Sequence, residues 1–242
     1  KRSEHSILAK NEELKKINAE LDNFVYRVSH DLRSPLLAIK GLIGLIFGTE
    51  NLTEEVIEYL KLAESSVGRL DSTIQEILEY SRNSRLEVLY EEVDMKQKVD
   101  TIIRDLQFAD KKITFEESFP ENTVIVTDRT RMRVLLKNLI GNAVKYQRED
   151  EPNHWVKVSM KYVDNEIVIS VADNGEGIHE RSLPKIFDMF YRGTTSSIGT
   201  GLGLYICKEV LNNLKGSIQV ESAVGVGTTM TVRLPKVELP KS

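Results

Sequence analysis

Two stretches in the N-terminal third each place apolar residues at helical spacing. The two apolar stripes are too long for one isolated pair of helices to bury. Between residues 24 and 46 the apolar positions step by three and four, as they do in an amphipathic helix. A second stretch repeats the pattern with Val56, Leu60, Ala63, Val67, Leu70, Ile74 and Ile77. Thr53 is suited to cap this second helix, and Glu54 and Glu55 favour its dipole. Two copies of such a hairpin would bury both stripes in a four-helix bundle.

The residues before this hairpin follow a different period. Ile7, Leu14, Leu21 and Val28 recur every seven residues, which predicts a parallel coiled coil. The alternative is a helix packed against its own domain. After Phe24 the spacing changes to steps of four, a stutter that locally unwinds a coiled coil. The stutter falls at His30, and we expect rotation or bending of the coiled coil to be felt there.

The segment FVYRVSHDLRSPLL, residues 24–37, contains reactive and helix-bending residues that do not belong to the apolar stripe. His30 lies off the apolar stripe, so its imidazole is predicted to face solvent, where the neutral ring can act as a nucleophile. Asp31 can hold the ring in one tautomer or take its proton. Pro35 has no N–H to offer the carbonyl of Asp31, so the helix is predicted to bend. Local physics alone also fits an ordinary surface histidine.

Composition excludes several classes of function. A net charge of −4 provides no basic field for nucleic acid. The single cysteine, Cys207, excludes an internal disulfide and fits a reducing compartment, and the four histidines show no metal-ligand spacing. No apolar run is long enough to span a bilayer and no signal peptide is visible, so we expect a cytoplasmic fragment without membrane contact. The chain starts at Lys1, within a helical pattern, and we expect a longer protein, soluble or membrane-anchored upstream.

The remainder of the chain alternates predicted helices and strands. Helices are predicted from the cap Asp94 to about Phe108, from the cap Asp128 to about Gln147, and from the 199–204 loop to about Leu214. Strands are predicted over 113–117, 124–126, 155–163, 166–172, 216–222 and 228–234. This order indicates an α/β domain.

The second of these helices carries residues suited to a nucleotide. Asn138 and Asn142 are four apart and share a face with Lys145 and Tyr146. A side-chain carbonyl can ligate Mg²⁺, a lysine can meet phosphate, and an aromatic ring can stack on a base. Asparagine pairs are common on helices, so this set is weak alone.

Glycine-rich loops follow two of the predicted elements. Asp173 ends a strand, where it can accept a hydrogen bond from an exocyclic amine, and Gly175 and Gly177 allow close approaches. The loop 199–204, GTGLGL, opens a helix and offers N–H groups to phosphates, yet it matches neither a Walker loop nor a Rossmann fingerprint. The small polar stretch 193–198 is a candidate lid, and Arg192 before it could reach a terminal phosphate.

Taken together, these segments resemble the sensor histidine kinases. The run His30-Asp31-Leu32-Arg33-Ser34-Pro35-Leu36 is similar to the family's H-box. Residues 138–146 resemble its N-box, 173–177 its G1 box, 186–190 its F-box, 199–204 its G2 box and 225–228 its final glycine box, in family order and at family spacing.

The resemblance implies a fold and a domain plan. An α-helical hairpin forms a dimeric four-helix bundle, and an α/β sandwich ATP-binding domain of the GHKL type follows it. The expected boundaries are a coiled-coil helix over 1–23, a dimerisation and histidine phosphotransfer domain over 24–84, a linker over 85–92 and a catalytic domain over 93–237.

The resemblance also implies residue roles. His30 accepts the phosphoryl group, Asp31 assists as acid or base, and the Ser34 hydroxyl stands where the family often has Thr or Asn to orient a water for dephosphorylation. Asn142 coordinates Mg²⁺ with Asn138 and Lys145 nearby, Tyr146 covers the adenine, and Asp173 binds its amino group. Gly175 and Gly177 give the base room. Further expected contacts to ATP come from Arg192, Thr200, Gly201, Leu202, Gly203, and Thr228 or Thr229.

The implied partners are a second copy of the chain and the receiver domain of a response regulator. Three rival functions remain open from the sequence. One is a GHKL ATPase that gates conformation, the second is an ATP-binding scaffold without kinase activity, and the third acts mainly as a phosphatase through Ser34.

Overall fold

The computed structural model describes residues 32–33, 35–48, 52–85, 87–106, 113–192 and 200–239. The chain divides into two compact units, Lys1–Leu86 and Glu87–Ser242. The predicted coiled coil over 1–23, the histidine His30 and its neighbours Asp31 and Ser34 lie outside the described residues.

The first unit is a helical hairpin. Helix α1 is described at 32–33 and 35–47, and α2 spans Glu54–Arg85. Thr53 caps α2 as predicted, because its Oγ1 accepts from the N–H of Val56 at 3.4 Å and its carbonyl from that of Ile57 at 3.1 Å. Arg33 Nε lies 3.8 Å from Asp71 Oδ1 and joins the two helices.

Only part of the apolar stripe is buried within this hairpin. Leu36, Ile74 and Leu78 form a small core with Val67 against it, and Ile43 is also buried. Other members of the predicted stripes remain exposed, among them Leu32, Ile39, Ile46, Val56 and Leu70. The single hairpin therefore leaves much of its apolar surface uncovered, as the stripe pattern predicts.

The second unit contains a mixed sheet. Its strands are β1 Glu91–Asp94, β2 Ile113–Ser118, β3 Val124–Thr127, β4 His154–Val163, β5 Glu166–Asp173, β6 Ser217–Ala223 and β7 Gly227–Pro235. Five of them form a sheet in the order β2-β4-β5-β7-β6, in which only β2 and β4 are parallel. The strands β1 and β3 form a separate antiparallel pair.

Among the described residues, three α-helices accompany this sheet. They are α3 Met95–Leu106, α4 Arg129–Lys145 and α5 Gly203–Asn213, and a short 3₁₀ helix spans Glu180–Lys185. Helix α4 packs against β4 and β5, with α3 and α5 as its neighbours. Leu135, Leu136 and Ile140 of α4 are fully buried in this core, as are Val156 and Val158 of β4. The result is the predicted α/β sandwich.

Two boundaries differ from those predicted. Arg85 belongs to α2 and Glu91 to β1, so fewer residues than the predicted 85–92 are left between helix and strand. Helix α4 ends at Lys145 rather than near Gln147. The reason is local: Gln147 Nε2 donates to the carbonyl of Ala143 at 2.6 Å, the acceptor that a longer helix would give to the Gln147 N–H.

Candidate active site

A cavity of about 180 Å³ opens in the second unit between the C-terminal half of α4, the end of β5, the start of β7 and the loop before α5. Its apolar lining includes Leu139, Ala143, Val171, Ile178, Ile186 and Met230. Its polar lining includes Asn142, Asp173, His179, Ser182, Arg192 and Thr228. A mostly apolar cavity with a few convergent polar groups is typical of a small-molecule site.

Asp173 is the polar group that the fold defines most closely. Its Oδ1 accepts hydrogen bonds from the backbone N–H of Gly175 at 2.8 Å and of Thr228 at 3.2 Å. Its Oδ2 accepts none from the residues that the structure describes. Burial raises the pKa of Asp173 from 3.8 to about 6, against the opposing effect of the two N–H donors. The carboxylate thus has one oxygen fixed by the fold and one available to a ligand.

The glycines beside Asp173 serve the packing of its loop. A Cβ on Gly175 would collide with the carbonyl oxygen of Tyr146, and one on Gly177, whose φ is +71°, with that of Ala223. The N–H of Glu176 donates to the Tyr146 carbonyl at 2.9 Å, which ties the loop to the end of α4. Gly177 lines the cavity and Gly175 does not. Both glycines therefore allow close approach of two backbone segments, and only Gly177 also lines the cavity.

Of the residues predicted as ligand contacts at the C-terminal end of α4, some line the cavity and others do not. Asn142 and Tyr146 line the cavity. Asn138 does not: its Nδ2 donates to the carbonyl of Val134 at 2.9 Å, and its Oδ1 would lie 2.6 Å from a Cβ on Gly203. Lys145 is also outside the lining, and its Nζ lies 5.0 Å from the centroid of the Tyr146 ring. Asn138 therefore contacts the start of α5 rather than the cavity.

Only part of the loop before α5 lines the cavity. Gly201 lines the cavity with φ at +76°, and its carbonyl accepts from the N–H of Phe190 at 3.1 Å. Thr200 Oγ1 accepts from the N–H of Leu202 at 3.2 Å, and Leu202 is buried. Thr200, Leu202 and Gly203 are predicted ligand contacts that do not line the cavity. The candidate lid, 193–198, lies outside the described residues.

The cavity includes one of two threonines between which the sequence pattern does not choose, and other residues that no sequence pattern predicts. Of the pair Thr228 and Thr229, Thr228 lines the cavity, donates its N–H to Asp173 and shares a hydroxyl hydrogen bond with Ser222 at 2.8 Å. His179 and Ser182 were not predicted. Their position shortly after the glycine pair was the only available signal, because neither belongs to a chemical pattern in the sequence.

Comparison with known proteins places this geometry in a family. Residues 127–238 match the model described as histidine kinase-, DNA gyrase B- and HSP90-like ATPase, and residues 20–86 match the His Kinase A phospho-acceptor domain. The chain therefore belongs to the sensor histidine kinases, with a phosphoacceptor domain followed by an ATP-binding domain of the GHKL type.

Individual relatives agree with this membership. The chain is 33% identical over 226 residues to the methanogenesis regulatory histidine kinase FilI of Methanothrix harundinacea, covering 90% of this chain and 25% of that protein. It is 33% identical to the sensor protein kinase WalK of Staphylococcus saprophyticus, covering 92% of this chain and 38% of WalK. The full-length structure of ShkA in complex with AMPPNP aligns with a TM-score of 0.69 and 26% identity over 90% of this chain and 46% of that one. The chain thus spans between 25% and 46% of the length of these three proteins.

Two further observations concern the described residues alone. None of their helices combines the length and the apolar character that crossing a bilayer requires. They also contain no group of three or more His, Cys, Asp or Glu side chains that could hold a metal ion.

Proposed function

We propose that the chain is the core of a histidine kinase that uses ATP to phosphorylate His30 and then passes the phosphoryl group to an aspartate of a response regulator. The observation that supports this most is the carboxylate of Asp173 on the cavity wall, with Oδ1 fixed by two N–H donors and Oδ2 available. An oxygen so placed can accept a hydrogen bond from an exocyclic amine, which adenine has and guanine lacks at the corresponding position.

The cavity suits the rest of an adenine nucleotide. Apolar side chains such as Leu139, Ile178 and Met230 can contact the faces of a planar base, and Tyr146 can cover it. The phosphates would extend toward Gly201 and the first turn of α5, where backbone N–H groups and the helix dipole favour anions. Arg192 lines the same cavity and can meet the terminal phosphate.

The residues present fit Mg²⁺ as a partner of the nucleotide rather than as a permanently held ion. Asn142 lines the cavity and can supply one amide oxygen, a ligand that Mg²⁺ accepts. Since no cluster of metal-binding side chains exists among the described residues, phosphate oxygens and water would supply the other ligands. When bound, the ion would neutralise phosphate charge.

The transfer needs little covalent help from the protein. A neutral imidazole nitrogen of His30 forms a bond to the γ-phosphorus, the bond from that phosphorus to its bridging oxygen breaks, and ADP leaves with the electron pair. Asp31 takes the proton that the ring gives up. The cavity residues contribute by holding the nucleotide and by neutralising its charge.

The proposed active form is a homodimer. Leu45 is 72% exposed and Leu70 is 46% exposed in the single hairpin, with several similar residues around them. Apolar surface of this extent on two adjacent helices is typical of an interface. A second copy of the hairpin would cover it by completing a four-helix bundle.

Nucleotide binding is the first part of this proposal to test. We expect calorimetric titration with the non-hydrolysable analogue AMPPNP to show one site per chain, and the guanine analogue to bind at least tenfold more weakly. Asp173→Asn, which keeps the size of the side chain, should lose most of this discrimination. Equal affinity of the wild-type chain for the two analogues would contradict the adenine assignment.

A further inference from the structure

The residues that follow α2 are held by the first turn of α4. We call residues 87–92 the connector. The N–H of Leu89 donates to Asp128 Oδ2 at 3.1 Å, and Arg131 Nη1 donates to the carbonyl of Glu87 at 3.4 Å. Arg129 adds a two-pronged ion pair with Glu91 at 2.9 and 3.0 Å. Three side chains of one helical turn therefore fix the connector at several points.

The contacts made by Asp128 and Arg131 are buried, whereas the ion pair between Arg129 and Glu91 is not. Asp128 and Arg131 are 5% and 3% exposed, and Arg131 Nη1 lies 2.5 Å from Asp128 Oδ2. The ion pair between Arg129 and Glu91 is roughly half exposed. An exposed pair contributes little, whereas a buried pair must offset a large desolvation cost through well-formed hydrogen bonds. The buried pair is thus the part of the contact that a change would disturb most.

Capping the helix does not by itself require this buried pair. Asp128 Oδ1 already accepts from the N–H of Arg131 at 2.9 Å, which is the usual N-cap bond. The second oxygen, Oδ2, is the one shared between the guanidinium of Arg131 and the N–H of Leu89. Burial would raise the pKa of Asp128, but these hydrogen bonds outweigh it and hold the pKa below its usual value. The carboxylate is therefore charged and committed to the connector as well as to the helix.

The same helix reaches the candidate active site at its other end. Helix α4 has 17 residues, so roughly 25 Å separate its ends. Its middle is buried in the core through Leu135, Leu136 and Ile140, and its last turn carries Asn142. Because its middle is buried, we expect this helix to transmit a displacement of one end to the other. A displacement of the connector would therefore be felt at Asn142, and the reverse would also hold.

We infer that Asp128 and Arg131 are positioning residues for phosphotransfer: they fix the connector to the helix that carries Asn142. This inference rests on the proposed kinase function. The nucleotide is then held at a defined place relative to residue 87, which Leu86 joins covalently to α2. We call the contacts of Asp128 and Arg131 to Leu89 and Glu87 the anchor. Without the anchor the cavity still binds nucleotide and residues 91–92 stay paired with β3, but the phosphate end of the nucleotide no longer has a fixed position relative to residues 87–90.

The test distinguishes an effect of the anchor from an effect on the nucleotide pocket. It changes Leu89 in the connector and leaves the buried pair of Asp128 and Arg131 in place. Leu89→Pro removes the N–H that donates to Asp128, while Leu89→Ala keeps that N–H and shortens the same exposed side chain. Both variants are made in the full chain, with the rate of His30 phosphorylation at saturating ATP and the dissociation constant for AMPPNP measured in each. We expect Leu89→Pro to lower the rate at least fivefold and to leave the dissociation constant within twofold. Leu89→Ala should match the wild type within twofold in both.

Two results would overturn the inference. One is an equal rate in the proline and alanine variants. The other is a loss of AMPPNP affinity as large as the loss of rate, because the anchor would then merely maintain the fold of the pocket. A wild-type chain that binds AMPPNP without phosphorylating His30 would instead be a failure of the proposed function, and it is read from the wild type alone.

A second variant tests the same inference in case the Leu89→Pro chain does not fold. Asp128→Ser with Arg131→Met keeps a capping hydroxyl on α4 and leaves no unpaired buried charge, but it removes the contacts to Glu87 and to the N–H of Leu89. We expect the same loss of rate with AMPPNP affinity within twofold. A rate equal to that of the wild type in this variant would also overturn the inference.

Discussion

The two units of the chain bury their apolar residues to very different extents. In the second unit the residues between α4 and the sheet, such as Leu135, Ile140 and Val156, are 0% exposed. In the helical unit Leu45 and Leu62 are 72% and 61% exposed, and its buried cluster is small. The second unit therefore has a closed core of its own, whereas the described helices of the first unit leave apolar residues exposed that the proposed homodimer would cover. Stability in one is set by its own packing, and in the other it should depend on protein concentration.

The largest expected effect concerns the packing of the second unit. Ile140→Ala deletes a fully buried side chain of α4, and we expect the free energy of unfolding of this unit to fall by about 2–5 kcal/mol. Trp155, the only tryptophan, lies in β4, so its fluorescence during denaturation reports on this unit. Leu45→Ala in the helical unit should leave that transition unchanged. A shift of similar size in both variants would mean that the units do not differ as described.

The next effect concerns the uncovered face of the helical unit. Leu70→Glu places a charge on the predicted stripe, and burying it in an interface should raise the dimer dissociation constant at least 100-fold, on the order of 3 kcal/mol. Sedimentation of dilute protein measures this. Val226→Glu, at a position that is 70% exposed in the second unit, is the control and should leave the dimer intact. A Leu70→Glu chain that remains dimeric would contradict the proposed interface.

A smaller effect concerns the junction of α4 and α5. A Cβ on Gly203 would lie 2.6 Å from Asn138 Oδ1, so Gly203→Ala should cost about 1–3 kcal/mol of stability through overpacking. Asn138→Ala removes the colliding atom, and the double variant should recover most of that loss. The melting of all three variants, followed at Trp155, measures the coupling. Additive losses in the double variant would show that the two residues do not constrain each other.

The smallest effect is a pH dependence at Asp173. Burial raises its pKa to about 6, so its carboxyl group is neutral below that pH. Because Oδ1 already accepts two N–H groups, the proton then sits on Oδ2, which becomes a poor acceptor for the adenine amine. We expect AMPPNP affinity to fall as pH decreases through 6, by up to tenfold per unit, or about 1.4 kcal/mol. Asp173→Asn should bind more weakly and lose this component, and the difference between the two proteins cancels the titration of the nucleotide itself. Parallel pH profiles in both proteins would contradict the assignment.

The stability of the chain without nucleotide changes with pH in the opposite direction to AMPPNP affinity. A carboxyl group whose pKa is raised by folding stabilises the folded chain below its unfolded pKa of 3.8, and this contribution is lost as pH rises through about 6. Without nucleotide, the ionised Asp173 therefore lowers the free energy of unfolding at neutral pH. Nucleotide binding offsets that decrease when Oδ2 gains a donor.

The features that could be predicted from the sequence depend on local patterns. The caps at Thr53, Asp94 and Asp128 were predictable because a capping side chain and its N–H partners lie within three residues. The strands β4 and β5 were predictable from their composition and the short turn between them. Asn142, Tyr146 and Asp173, which line the cavity, could be singled out because each belongs to a motif with a fixed spacing, and their roles toward ATP stay predictions.

The features that were missed depend on contacts distant in sequence. The start of β1 at Glu91 was assigned to the linker because the polar run Glu91-Glu92 becomes a strand only by pairing with Thr127 and Val126. Asn138 was predicted as a ligand contact, and only the packing of α5 shows that it faces Gly203. Spacing identifies which residues share a helix face, but neighbouring elements decide what that face meets.

The most direct test of the account is incubation of the chain with γ-labelled ATP and Mg²⁺, with wild type beside His30→Gln and Asn142→Ala. We predict label that is acid-labile and base-stable in the wild type, and its loss in both variants while the His30→Gln chain still binds AMPPNP. Label that survives His30→Gln would place the acceptor elsewhere and contradict the central claim. An unlabelled wild type that binds nucleotide would favour an ATP-binding scaffold instead.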